Sequence, residues 1–226
     1  MQSKIVLMIA VLVAAHAFGQ RTVSIPLSDS TATIEADVYG SGDRAVVLAH
    51  GGRFTKDSWK QQAEAIAHAG FMAVAVQFRG DRPNPDGTPG SFGSAEDNAT
   101  DVFATIAYCR HAGAKWVSAI GGSFGGDAVG DADVRLDPGG LSRVIFLGSS
   151  GGDHPEKLTG RKLFLVARED RSSYGPRLPG ISAAYAKAVE PKELVIVDGS
   201  AHAQFLFASE QGPAVMEQIL RFLTKP

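Results

Sequence analysis

Trp116-Val117-Ser118-Ala119-Ile120-Gly121-Gly122-Ser123-Phe124-Gly125-Gly126-Asp127-Ala128 joins an apolar run to a Gly-x-Ser-x-Gly pentapeptide and then to a stretch of small residues. The run has strand character and the small-residue stretch suits a helix, so Ser123 is expected on a sharp strand-to-helix turn that holds its hydroxyl outward. Crowding explains the glycines. A serine in so tight a turn leaves no room for side chains at Gly121 and Gly125.

The pattern repeats outward in both directions. Apolar runs at 45–49, 71–78, 143–147, 162–167 and 193–197 read as buried strands. Helices are expected at 57–68, capped by Asp57 or Ser58, at 94–111, from Ser123 to about 136, at 174–189 and at 204–223. Strands alternating with helices imply a doubly wound, mostly parallel sheet of about eight strands. Two alternating segments, 22–27 and 31–39, split by Ser28-Asp29-Ser30, add an antiparallel hairpin at the amino-terminal edge. No linker or repeat divides residues 20–226, which read as one domain.

The first residues differ. Lys4 precedes an apolar run, Ile5 to Ala15, that is too short to span a membrane and suits the core of a secretory signal peptide. Ala15-His16-Ala17 or Ala17-Phe18-Gly19 supplies the cleavage pattern, so residues 1–17 or 1–19 are expected to be removed and the mature chain exported, periplasmic or secreted. No cysteine follows the run, which argues against a lipid anchor. The single cysteine, Cys109, excludes an intramolecular disulfide and reads as a buried free thiol. A net charge of -2 argues against a nucleic-acid partner. Nothing in the sequence fixes the oligomeric state.

In an open α/β sheet, ligands bind beyond the carboxyl ends of the strands. Standing there are His50-Gly51-Gly52-Arg53, Arg79, Ser123, Asp153-His154, Arg168-Glu169-Asp170 and His202. A serine hydroxyl needs an imidazole to take its proton, and the imidazole needs a carboxylate to fix its tautomer. Ser123, Asp170 and His202 supply all three, with Asp153 an alternative acid. The Gly90-Ser91-Phe92-Gly93 echo of the pentapeptide follows a Pro-rich loop and no strand. No two histidines show metal-ligand spacing.

With His50-Gly51-Gly52 after the third strand, Gly121-Gly122-Ser123-Phe124-Gly125 after the fifth, Asp170 after the seventh and His202 after the eighth, the chain resembles the α/β-hydrolase superfamily from about Thr22 onward. It is similar in particular to small, lidless carboxylesterases and dienelactone-hydrolase-like members. The resemblance implies that Ser123 is a nucleophile, His202 its general base and Asp170 the orienting acid. It also implies an oxyanion hole from the backbone N–H groups of Phe124 and Gly52, or of Arg53 if the loop is wound differently. His50 is implied to be structural.

Dienelactone hydrolases proper use a cysteine where Ser123 stands, which favours ordinary ester hydrolysis. The short 148–161 segment leaves no lid, which favours small soluble esters over long acyl chains. The expected reaction is hydrolysis of a small-molecule ester through an acyl-enzyme, without metal or organic cofactor. A peptidase or thioesterase would use the same triad, and a non-catalytic binder on this fold is the remaining reading. Arg53 and Arg79 are candidates for binding a substrate carboxylate, against local pairing with Asp57 or Asp81.

Overall fold

In the computed structural model, residues 19–28, 32–81 and 93–225 are described. The expected signal peptide up to residue 18, the hairpin turn at 29–31 and the Ser91 echo lie outside them. The strands are β1 (Arg21–Pro26), β2 (Thr33–Tyr39), β3 (Arg44–Ala49), β4 (Met72–Val76), β5 (Trp116–Gly122), β6 (Arg143–Leu147), β7 (Arg161–Ala167), β8 (Arg171–Ser172), β9 (Gly175–Pro176) and β10 (Lys192–Val197). The α-helices are α1 (Lys60–His68), α2 (Ala95–His111), α3 (Phe124–Arg135), α4 (Leu178–Lys187) and α5 (Gly212–Thr224).

Eight strands form one sheet in the order β1-β2-β4-β3-β5-β6-β7-β10. From β4 to β10 every neighbour is parallel, while β1 and β2 add the antiparallel edge. β8 and β9 make a separate two-residue ladder, so the eighth strand expected from the sequence is β10.

Period-two alternation with both faces covered explains why β3 is apolar after Arg44. Ala45, Val47 and Ala49 enter the core under α2, α3 and α4, while Val46 and Leu48 enter the core under α1 and α5. The chain leaves β3 for β4 on one side and returns to β5 on the other, so the strand order reverses at β3. Such a reversal opens a crevice at the carboxyl ends of β3 and β5, where the His50 loop and the Ser123 turn stand.

Three boundaries differ from expectation. Neither Asp57 nor Ser58 caps α1: a 3₁₀ turn, Lys56–Trp59, precedes it, and the Ser58 hydroxyl donates to Thr55 O (2.6 Å). By contrast Ser94 caps α2, its Oγ accepting from Asp97 N–H (3.0 Å). The helix expected from residue 174 starts at Leu178, because β8 and β9 occupy 171–176. The final helix is two pieces, a 3₁₀ segment Ala203–Ala208 and α5, since Gly212 lies so close to Phe207 that an added Cβ would stand 2.3 Å from its carbonyl oxygen.

Between β6 and β7 the chain takes residues 148–160 with one 3₁₀ turn at Pro155–Lys157. Among the described residues no helix is long and apolar enough to cross a membrane.

Candidate active site

β5 sets the serine. Ser123 sits between β5 and α3 at φ 51°, ψ −125°, a conformation that a residue with a Cβ adopts only when its surroundings enforce it. The enforcement is visible in the flanking glycines. A Cβ on Gly121 would stand 2.2 Å from Gly125 O, and one on Gly125 would stand 2.4 Å from His50 O. Backbone occupies both places, so neither position has room for a larger residue. Ser123 N–H donates to Leu147 O (2.9 Å), tying the turn to the end of β6.

His202 reaches Ser123 from β10, which β6 and β7 separate from β5 in the sheet. The loop after β10 passes over their ends. Gly148, at φ 61° just past β6, makes way: a Cβ there would lie 2.9 Å from His202 Nδ1 and 3.0 Å from Asp170 Oδ2. His202 Nε2 is 2.9 Å from Ser123 Oγ, and His202 Nδ1 is 2.8 Å from Asp170 Oδ2. A carboxylate oxygen only accepts, so Nδ1 carries the proton and Nε2 presents its lone pair to the serine hydroxyl. Asp170 is fully buried, and its second oxygen, Oδ1, lies 3.6 Å from Arg177 Nε. Asp153, the alternative acid, is exposed.

The loop after β3 is held from several sides. His50 is buried, its ring edge-on to Phe78 (centroids 5.0 Å apart). Its Nδ1 faces Gly51 O at 3.1 Å, an acceptor, so Nδ1–H donates and Nε2 is left to accept, with Phe78 N–H at 3.5 Å. Burial pushes the His50 pKa down from 6.5 to about 4, and the hydrogen bond to Gly51 opposes only part of that. Phe54 N–H also donates to Gly51 O (3.0 Å).

With Gly51 C=O fixed by two donors, the Gly52 N–H across the same trans peptide points the opposite way. It has no hydrogen-bond partner among the described residues. Gly52, Ser123 and Phe124 line one cavity of about 420 Å³.

A second cavity of about 220 Å³ opens on the other side of Ser123, walled by Asp127, Ser149, Ser150 and Arg177 with Ile181 and Pro176. Asp127 lines both cavities, one helical turn beyond Ser123. Its Oδ1 accepts from Ser149 Oγ (2.7 Å) and Gly152 N–H (3.2 Å). Burial raises its pKa, which those two bonds partly offset.

Arg53 and Arg79, the candidates for binding a substrate carboxylate, are not among the residues that wall these two cavities. Arg79 turns onto α2, where its backbone N–H and Nε bond the buried Asp101 carboxylate at 2.8 and 2.7 Å and its Nη1 pairs with Asp97 at 3.3 Å. Arg53 is exposed. Among the described residues, Arg177 is a cation that walls the cavity beside Ser123, and no sequence pattern singled it out. Gly148 and Gln204 were missed as well, because their roles depend on chain segments far away in sequence. Asp127 was passed over too, although its helical spacing from Ser123 was a local signal. Among the described residues no group of three His, Cys, Asp or Glu side chains is placed to hold a metal ion.

No protein-family model matches the chain, and no curated protein matches it in sequence. Solved structures do match in shape. A dienelactone hydrolase from Anabaena variabilis superposes with a TM-score of 0.71 at 16% identity, over 90% of this chain and 95% of that one. An esterase from Exiguobacterium antarcticum gives 0.71 at 14% identity, over 89% and 99%. A monoacylglycerol lipase from Paleococcus ferrophilus gives 0.69 at 16% identity, over 84% and 98%. At these identities the likeness is one of fold, and the fold is that of the α/β-hydrolases.

Proposed function

We propose that this protein is a serine hydrolase that cleaves small carboxylic esters through an acyl-enzyme. The observation that carries the reading is the unbroken path from Ser123 Oγ through His202 to buried Asp170, at 2.9 and 2.8 Å, on a serine held in a strained turn. Ser123 attacks the ester carbonyl and passes its proton to His202 Nε2, while Asp170 stabilises the imidazolium. The carbonyl oxygen takes up negative charge between the N–H groups of Gly52 and Phe124, each such donor typically supplying about 3 kcal/mol. The tetrahedral intermediate collapses, the alcohol leaves with the proton from His202, and water deacylates Ser123 by the same route. These steps use side chains, backbone and water alone.

Esterases and a monoacylglycerol lipase among the structures of the same fold support an ester substrate. The 220 Å³ cavity, with four hydroxyl- or charge-bearing walls beside Ser123, favours a short and polar substituent over a long alkyl chain. The test is labelling by a fluorophosphonate probe together with turnover of acyl esters of increasing chain length, with thioesters and peptide anilides beside them. Labelling and hydrolysis by the wild type, both lost in Ser123→Ala, are expected, with turnover greatest for short acyl esters. Labelling that survives Ser123→Ala would sink the assignment.

A further inference from the structure

Gln204 lies two residues beyond His202, outside the triad, and its side chain reaches into the β3 loop. Its Oε1 accepts from Gly51 N–H at 2.9 Å across 153 residues of sequence. Its Nε2 donates to Ser58 Oγ at 2.8 Å, and Ser58 in turn donates to Thr55 O at 2.6 Å. The backbone N–H of Gly51 can only donate, so the amide has one orientation and the relay one direction. The side chain is buried, with 5% of the residue exposed. It also presses on the nucleophile turn, where a Cβ on Gly122 would stand 2.4 Å from Oε1. Between His202 and Gln204, Ala203 takes φ 51°, a strained value for alanine that persists only where both neighbours are pinned.

We infer that Gln204 is a positioning residue that sets the Gly51–Gly52 peptide against Ser123, linking the His202 loop to the oxyanion-binding loop. The inference rests on the reading of Gly52 N–H as an oxyanion donor. Gly51 has its carbonyl held by His50 and Phe54 and its N–H held by Gln204. Without the last of these the preceding His50–Gly51 peptide is released, Gly51 is held through its carbonyl alone, and rotation at the Gly51 Cα can tilt the Gly51–Gly52 peptide that follows. An oxyanion donor acts on charge that is present in the transition state and absent from the bound ester, so its displacement lowers kcat and leaves KM in place.

Gln204→Met keeps the length of the side chain and removes both bonds, whereas Gln204→Glu keeps an acceptor for Gly51 N–H. With a short acyl ester, the Met variant is expected to lose on the order of 10²-fold in kcat with KM within about threefold, and the Glu variant to stay within about fivefold of wild type. Amide hydrogen exchange at residues 50–54 is expected to speed up in the Met variant alone. A Met variant within twofold of wild type, equal losses in both variants, or a loss confined to KM would overturn the inference.

If the Met variant does not fold, the Glu variant decides: near-wild-type kcat supports the role, and a 10²-fold fall with exchange at 50–54 unchanged overturns it. If the wild type neither labels nor hydrolyses any ester, the hydrolase reading falls, and exchange at Gly51 still tests the anchor. Unaltered exchange in the Met variant would then reject it.

Discussion

Two histidines with the same tautomer are put to opposite uses by what their other nitrogen meets. In His202 the Nδ1 proton goes to a buried carboxylate and Nε2 faces a hydroxyl. In His50 it goes to a peptide carbonyl and Nε2 faces a backbone N–H. In the proposed reaction the first arrangement takes up the Ser123 proton, with Asp170 offsetting the charge. Replacing Asp170 by Asn removes that charge and lets the amide favour the wrong tautomer, so kcat is expected to fall on the order of 10⁴-fold in steady-state assays. Asp153→Asn, at an exposed position, is expected to change it less than twofold.

The second arrangement disfavours a charge, because burial is not offset by a carboxylate. Its folded pKa of about 4 lies below the ordinary 6.5, so as pH falls through that window the unfolded chain takes up a proton that the folded chain refuses. The stability that His50 contributes is present above pH 6.5 and lost toward pH 4, about 3 kcal/mol in all. Urea unfolding of wild type and His50→Asn between pH 7 and 4 measures it, and equal pH slopes would show that His50 is not the source. Side-chain types and their order along the chain were enough to nominate both histidines. Arg177 shows the limit of such reading, since nothing local distinguishes it from Arg53 or Arg79 until the loops close around Ser123.

Elements were legible where apolar periodicity was strong, as in β3 to β7, and illegible where a turn depends on a distant partner. Ser58 has the chemistry of a cap, yet its hydroxyl is engaged by Thr55 and Gln204, so α1 starts without it. Gly212 and Pro213 were local signs that the last helix is interrupted, and they were read through.

Gly148 stands in a turn that bears directly on the His202–Asp170 pair. Its φ of 61° and the His202–Asp170 pair lying over its Cα both exclude a side chain. Gly148→Ala is therefore expected to push the pair apart and cost on the order of 10²-fold in kcat, with the fold retained by circular dichroism. Gly139, at φ 87° in the loop between α3 and β6, is the contrast, with no atom within 4 Å of an added Cβ. There Ala is expected to leave kcat within threefold and to lower stability by about 1 kcal/mol in thermal melts. A similar kcat loss in both variants would mean that glycine flexibility, and not the space beside His202, is what matters.

At the scale of the whole molecule, the sheet separates two cores, and the site sits where the chain changes direction between them. Cys109 reports on one of these cores. It lies on α2 with Val102 and Ile106, packed over β3 and β5, and it is fully buried. Burial pushes its thiol pKa up to about 12, so in the native state the reactive thiolate is scarce and the sulfur is shielded as well.

Local opening at the termini or the loops around Ser123 does not expose this residue, because uncovering it requires α2 to leave the sheet. Alkylation of Cys109 is therefore expected to be negligible at neutral pH in the folded protein and to follow global unfolding as urea is added. The midpoint of protection should coincide with the midpoint by circular dichroism. Alkylation at urea concentrations well below that midpoint would instead show that α2 detaches as a separate unit. The crevice between β3 and β5 would then lose one wall before the rest of the sheet unfolds, and activity should disappear in parallel with the early alkylation.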